Sequence, residues 1–265
     1  YKYFKITAFQ AAEAGILDFA EIEQAREDLT AEQFTMLYLA EGTDSGKMLF
    51  NPDSIKCIFE NTHVPRNGKK YITADIAHEG SDAFVICVWH DWEIVKIYTM
   101  NKSQSKEVND KIIKVKNIHG VPNTNIIYDA DGVGSGVGGY IVGSIPFHNG
   151  GSVIPTLERK LINGVWVQEK ENFAKLKHQC YWKFAEKVNK NEVSISKDCL
   201  DYEIQIKEEL GAICKDMDSI NKLGVLRIES KVVLKEKLGR SPDFADAMML
   251  RVYFDLTQKR GFSMS

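Results

Sequence analysis

The sequence has few cysteines, few prolines and no long apolar run. Its five cysteines, Cys57, Cys87, Cys180, Cys199 and Cys214, are odd in number, scattered and never in CxxC spacing. That argues against a zinc-thiolate site or a disulfide framework and suits a reducing cytosol. The six histidines show no metal-ligand spacing, so any bound metal should be a hard cation held by oxygen. No stretch approaches the ~20 apolar residues of a membrane span, and no signal-peptide pattern is visible. No membrane partner is expected. A GxSxG elbow is missing, which removes the usual serine hydrolase reading. Internal repeats and low-complexity tracts are missing as well.

Two nucleotide-binding signals are present but incomplete. Gly42–Met48 reads GTDSGKM. It has the Gly-Lys pair, but the preceding spacing is wrong and Met48 stands where a P-loop needs Ser or Thr for magnesium. No ATP site is expected in this chain. Gly134, Gly136 and Gly139 spell GxGxxG after a strand-like run. Asp129 and Asp131, however, stand where a pyrophosphate requires positive potential. These glycines are read as tight strand–helix packing.

What is present is a chain of 265 residues, 44% hydrophobic, which suffices for a packed core and argues against disorder. The net charge of −3 is unevenly spread. Residues 10–46 carry −8, the first nine residues +2, and the remainder +3. A mildly basic body around a local acidic site is compatible with nucleic acid, although charge alone favours a solvated acidic helix.

Residues 1–65 read as a helical linker, with Asp18 or Thr30 as candidate caps and helix formers over Ala31–Ala40. Phe50–Thr62 reads as a connector with a short helix. The core is expected from residue 66. YITADIA, AFVICVW and EIVKIYT are three successive strand-like runs, with Gly80 and Asp91 in the turns. A helix is predicted over 104–118, a fourth strand at NIIYDA, a hairpin at LINGVWVQ around Asn-Gly, and helices over Glu171–Asn189 and about Leu200–Ala212. GVLRIES reads as a late strand. Ser241 and Pro242 suit the N-cap and first turn of a last helix. Three antiparallel strands followed by β/α alternation predict an α/β fold: a mixed sheet flanked by helices, with a hairpin insertion.

Three acidic clusters lie far apart in this sequence. Asp75 and Asp129 each end an apolar strand, and Asp243 and Asp246 open an apolar helix, three residues apart and so on one face. A buried, unpaired carboxylate costs several kcal/mol or takes up a proton. Alone, Asp75 reads as a structural acceptor, and Asp243 or Asp246 as an acid favoured by the helix dipole. Together the four fit a divalent cation site. Two Mg2+ or Mn2+ ions about 3.5–4 Å apart need bridging carboxylates of this kind for phosphodiester hydrolysis. Asp82, in the Gly-Ser-Asp turn, reads as a turn or supporting residue. Lys231, Lys235, Lys237 and Arg240 run directly into Asp243, and Lys175, Lys177, Lys183, Lys187 and Lys190 line the 171–190 helix. Each could neutralise a DNA phosphate, and the second group could equally be a solvated face.

YITADIAHEGSDAFVICVW, IIYDADGVGSGV, ENFAKLKHQCYWKFAEKV and KLGRSPDFADAMML, taken in this order, resemble the nuclease domain of the large terminase subunit of tailed bacteriophages. LTAEQFTMLYLAE resembles the segment that follows the ATPase domain in that family, and with Tyr1 in first place the chain reads as part of something longer. The resemblance implies an RNase H-like fold and an endonuclease that cuts concatemeric double-stranded DNA during genome packaging in the host cytoplasm. It implies Asp75, Asp129 and Asp243 or Asp246 as metal ligands and catalytic residues. It further implies an ATPase domain of the same full-length chain, a portal protein and a small terminase subunit as partners. A Holliday-junction resolvase or transposase-like nuclease of the same fold remains open, as does a non-catalytic DNA-binding or motor-docking module.

Overall fold

A computed structural model describes residues 6–28, 38, 46–66, 68–76, 83–101, 105–131, 136–155, 159–162, 165–168 and 171–257. Asp82, Thr30, Gly80, Gly132 and Gly134, most of Ala31–Ala40 and most of Gly42–Met48 lie outside them. The chain forms two compact units, Tyr1–Met48 and Leu49–Ser265.

In the first unit, α1 (Ala8–Glu13) starts with a capping box. Thr7 Oγ1 accepts from the Gln10 amide, and the Gln10 side chain accepts from the Thr7 amide. Helix α2 (Phe19–Asp28) begins where Asp18 accepts from the Ala20 amide at 2.9 Å. Ala12, Ile22 and Ala25 form a small core there.

The second unit begins at Leu49, earlier than the expected boundary at 65/66. Leu49, Phe50, Ile55 and Ile58 explain the shift: all are buried in the main core of this unit, Ile55 within α3 (Pro52–Cys57) and Ile58 at its C-cap. Asn51 caps that helix through the Asp53 amide.

The described strands form a six-stranded sheet in the order β5-β4-β1-β2-β3-β8 and a separate hairpin, β6-β7. The three expected strands are β1 (Lys70–Asp75), β2 (Ala83–His90) and β3 (Glu93–Asn101), paired antiparallel in sequence order. Asp91 makes the β2–β3 turn at φ 53°, a left-handed conformation that aspartate tolerates. After α4 (Ser105–His119), β4 (Ile126–Asp129) joins β1 in parallel. A short helix α5 (Val137–Tyr140) leads to β5 (Ile145–Phe147), parallel to β4. The hairpin is β6 (Arg159–Ile162) with β7 (Val165–Gln168). Then follow α6 (Leu176–Asn189), β8 (Ser194–Ile195) against β3, α7 (Glu203–Ala212), α8 (Met217–Leu223), α9 (Lys231–Leu238), α10 (Asp243–Met249) and α11 (Val252–Thr257).

Strand alternation assigns the two faces of the sheet. Ile72, Ala74, Ile86, Val88, Ile126 and Tyr128 face one core with Val108, Ile112 and Val115 of α4. Tyr71, Val85, Cys87, Trp89 and Ile127 face the other with Phe184 of α6, Leu210 of α7 and Phe244 of α10. Asp75 has the parity of Tyr71, and Asp129 that of Ile127. Both carboxylates are therefore directed to the face on which α10 packs.

Three expectations are corrected. GVLRIES does not join the sheet: among the described residues it makes two isolated bridges, Leu226 with Phe173 and Ile228 with Lys215. Residues 171–175 precede α6 in extended or irregular form, with Phe173 tied to Leu226. Ser241 does not cap α10: its Oγ is buried with no partner among the described residues, and Pro242 occupies the N-cap position.

Candidate active site

The four predicted acids meet at one end of the sheet. Ala74 pairs with Tyr128 across the parallel β1–β4 ladder, so Asp75 and Asp129 end adjacent strands, about 4.8 Å apart in the hydrogen-bonding direction. Asp243 comes from the first turn of α10, and its Oδ2 accepts from the Ala83 amide at 2.7 Å, at the start of β2. Asp246 lies one turn on. Its Oδ1 accepts from Tyr181 Oη at 2.6 Å and meets Lys177 Nζ at 2.7 Å, both from α6. Asp75, Asp243 and Asp246 are all buried.

Burial pushes the Asp75 carboxyl well above the usual range, and the charges of Asp246, Asp129 and Asp243 push it further. Lys177 alone pulls it down. Burial also raises Asp129, against hydrogen bonds from the Asp131 amide at 2.9 Å and Asn149 Nδ2 at 2.9 Å. Burial acts against the Lys177 ammonium, but Asp246 first, then Asp75 and Asp129, keep its pKa above the ordinary lysine value. Carboxylates so crowded require positive charge among them.

The chemistry of this donor set fits a hard divalent cation: every candidate ligand is a carboxylate oxygen. As they stand, no three of the described His, Cys, Asp or Glu side chains form a ligating group. The hydrogen bonds account for this. Lys177 and Tyr181 hold one oxygen of Asp246, the Ala83 amide holds one of Asp243, and both oxygens of Asp129 accept from protein donors. Lys177 supplies the neutralising charge in this arrangement.

Sequence reasoning grouped Lys177 with four other lysines as a possible phosphate-binding face. The structure separates them. Lys177 is turned inward onto Asp246, Lys183 is paired with Glu171 and Glu186, and Lys187 with Glu192. The bases before Asp243 are also engaged. Arg240 meets Glu208 and Glu209, and Lys237 meets Glu229 at 2.6 Å. Lys231 is exposed at the start of α9.

Glu209 of α7 was not foreseen. It is fully buried, and its Oε2 accepts from the Ala245 amide at 2.9 Å. It thereby caps the helix that carries Asp243 and Asp246, the role expected of Ser241. Burial raises its carboxyl to about 7, although the Ala245 amide and Arg240 oppose the shift. Its nearest sequence signal is an acid in the buried stripe of an otherwise amphipathic helix. Asn149 was missed as well. Its Nδ2 donates to Asp129 and, at 3.0 Å, to Asp131. Of the glycines after Asp129, Gly138 packs tightly: a Cβ there would lie 2.8 Å from Tyr128 Oη, whereas Gly136 and Gly139 have open space.

No family model matches this chain, and no curated protein matches it. Solved structures do resemble it. The nuclease domain of the large terminase subunit gp2 of bacterial virus Sf6 is 20% identical, with a TM-score of 0.62 over 77% of this chain and 97% of that one. A mutant of that domain with manganese and beta-thujaplicinol gives the same identity, coverage and TM-score. The same mutant with calcium is 18% identical, with a TM-score of 0.62 over 77% of this chain and 98% of that one. The mixed six-stranded sheet flanked by helices is thus the RNase H-like fold of these terminase nuclease domains.

Proposed function

We propose that this chain is a divalent-metal-dependent DNA endonuclease that cuts concatemeric double-stranded DNA during phage genome packaging. The observation that carries the reading is the convergence of Asp75, Asp129, Asp243 and Asp246 from two strand ends and one helix at one end of an RNase H-like sheet. The manganese and calcium complexes of the Sf6 domain support a divalent cation. The four carboxylates would hold Mg2+ or Mn2+, two ions in our reading. When bound, the metal would supply Lewis-acid activation of water and charge neutralisation at the phosphate.

The chain's own residues do the positioning. The β1–β4 ladder fixes the spacing of Asp75 and Asp129. Glu209 and Arg240 anchor the first turn of α10, and so the direction of Asp243 and Asp246. Asn149 orients Asp129, and Tyr181 and Lys177 orient Asp246. Asp75, Asp243 and Asp246 are buried, and the low local dielectric strengthens the interactions they make. An ATPase domain in the same full-length chain, a portal protein and a small terminase subunit belong to the same proposal.

The test is cleavage of supercoiled plasmid by purified protein with Mn2+ or Mg2+, with and without chelator. Nicking or linearisation that chelator stops is expected. Cutting that continues in chelator, or no cutting with either ion, would overturn the proposal.

A further inference from the structure

Beside the four acids stand His148 and Asp131, linked to them through Asn149. β1, β4 and β5 are mutually parallel, so their C-terminal ends open on one edge. β1 ends in Asp75, β4 in Asp129, and β5 is followed at once by His148. Asp129 pairs with Phe147 across the β4–β5 ladder, one residue before the histidine.

His148 Nδ1 lies 3.1 Å from Asp131 Oδ1. The other oxygen of Asp131 accepts from the Asn149 amide at 3.0 Å and from Asn149 Nδ2 at 3.0 Å. Asn149 Nδ2 also donates to Asp129 Oδ2 at 2.9 Å. The backbone is fixed from behind: His148 carbonyl accepts from the Gly151 amide, and Asn149 and Gly151 carbonyls accept from Lys177 and Leu176 at the start of α6. Gly151 permits that approach, since a Cβ there would lie 3.0 Å from His148 O. A chain of hydrogen bonds therefore registers the imidazole against Asp129.

The tautomer follows from the partner. Asp131 accepts through Oδ2 from both Asn149 donors and turns Oδ1 toward the ring. With Asp131 as the acceptor, Nδ1 of His148 carries the hydrogen, and in the neutral ring Nε2 carries a lone pair. The side chain is 61% exposed, and Nε2 has no partner among the described residues.

We propose that His148, oriented by Asp131, is a catalytic general base of the nuclease reaction, an inference that rests on the endonuclease reading above. Nε2 takes a proton from the attacking water. The water oxygen forms the new bond to phosphorus as the bond from phosphorus to the 3′ oxygen breaks. The electron pair of the broken bond leaves on the 3′ oxygen, which takes a proton from solvent, and the imidazolium returns its proton to solvent. Asp131 stabilises the imidazolium and acts as a positioning residue. The products are a 5′ phosphate and a 3′ hydroxyl.

The experiment compares wild type, His148→Ala and Asp131→Asn. General-base participation predicts a loss in kcat of about 10²-fold or more for His148→Ala. KM for DNA and Mn2+ binding by calorimetry should be unchanged, and free imidazole should restore part of the rate. In wild type, 15N–1H spectra of the histidine rings should show the Nδ1–H tautomer for His148, and Asp131→Asn should lose it. The double variant should be no slower than His148→Ala, because the two residues act as one unit. Two results would overturn the proposal while leaving the nuclease reading intact. One is His148→Ala retaining kcat within about threefold of wild type. The other is a defect lying wholly in KM without imidazole rescue, which would make His148 a phosphate contact. A wild type that never cuts would remove both readings together.

Discussion

The ammonium of Lys177 lies 2.7 Å from Asp246 Oδ1, in a buried setting with Asp75 and Asp129 within electrostatic reach. Lysine holds the place that a cation would otherwise take among these carboxylates. Without it, burial and mutual repulsion would leave the acids uncompensated. Lys177→Ala should therefore destabilise the metal-free protein by about 3–5 kcal/mol, the usual cost of breaking a buried ion pair from one side. Mn2+ should recover much of that loss, and calorimetry should find tighter Mn2+ binding than in wild type. A variant as stable as wild type in chelator would show that Lys177 is not the counter-charge.

Asp75 leads to the opposite effect on stability. Its folded-state pKa is raised, first by burial and then by Asp246, Asp129 and Asp243. A raised carboxyl favours the native state below its unfolded value, near 3.9, and that contribution is lost as pH rises toward the folded value. At neutral pH without metal, Asp75 thus opposes folding. Asp75→Asn should raise the melting temperature in chelator, by about 2–4 °C for each kcal/mol relieved, and abolish cleavage. Asp129→Asn should abolish cleavage too. Melting curves in chelator and the plasmid assay check both. A lower melting temperature for Asp75→Asn would contradict the electrostatic account, and near-normal cleavage by Asp129→Asn would remove that residue from the site.

The sequence made the first half of this geometry readable. YITAD and IIYD each read as an apolar strand ended by an aspartate, and the largely apolar run Phe244–Leu250 requires a buried helix; that both aspartates face one side follows only from the β1–β4 register. The four acids follow from those patterns. Glu209 was not readable in the same way. Ser241-Pro242-Asp243 carries a strong local cap signal, and that signal lost to a long-range one: the carboxylate of α7 reaches the Ala245 amide across the core. Local propensity contains no term for such a partner. β5 and β8 were missed because three and two residues are too few to show a period. The lysines of α6 were misgrouped because helical spacing alone does not reveal that the Lys177 side of the helix turns inward.

Glu209 supplies a stability test against pH. Its carboxyl is raised to about 7, chiefly by burial. A raised folded value means that its contribution is complete below the unfolded value, near 4.3, and is lost as pH rises through about 7. Glu209→Gln keeps an acceptor for the Ala245 amide and removes the titration. The melting temperature of wild type minus that of the variant should fall between pH 5 and pH 8. A flat difference across that range would mean that Glu209 stays ionised throughout.

The bases before Asp243 should divide into two kinds. Arg240 is paired with Glu208 and the buried Glu209, so Arg240→Ala leaves a buried carboxylate uncompensated beside the catalytic helix. It should lower the melting temperature and weaken Mn2+ binding. Its effect on the salt dependence of DNA binding should be small, because a guanidinium held by two carboxylates neutralises little phosphate. Lys231 is exposed at the first turn of α9. If it grips the backbone, Lys231→Ala should leave the melting temperature unchanged and flatten the log–log salt slope by up to about 0.9, one phosphate contact. The loss should be alike on all sequences, since phosphate contacts carry no sequence information. Salt titrations of DNA binding in Ca2+, run beside melting curves, separate the two. An unchanged slope for Lys231→Ala would move the DNA to another face. A slope change for Arg240→Ala without loss of stability would mean that DNA draws the guanidinium away from Glu209.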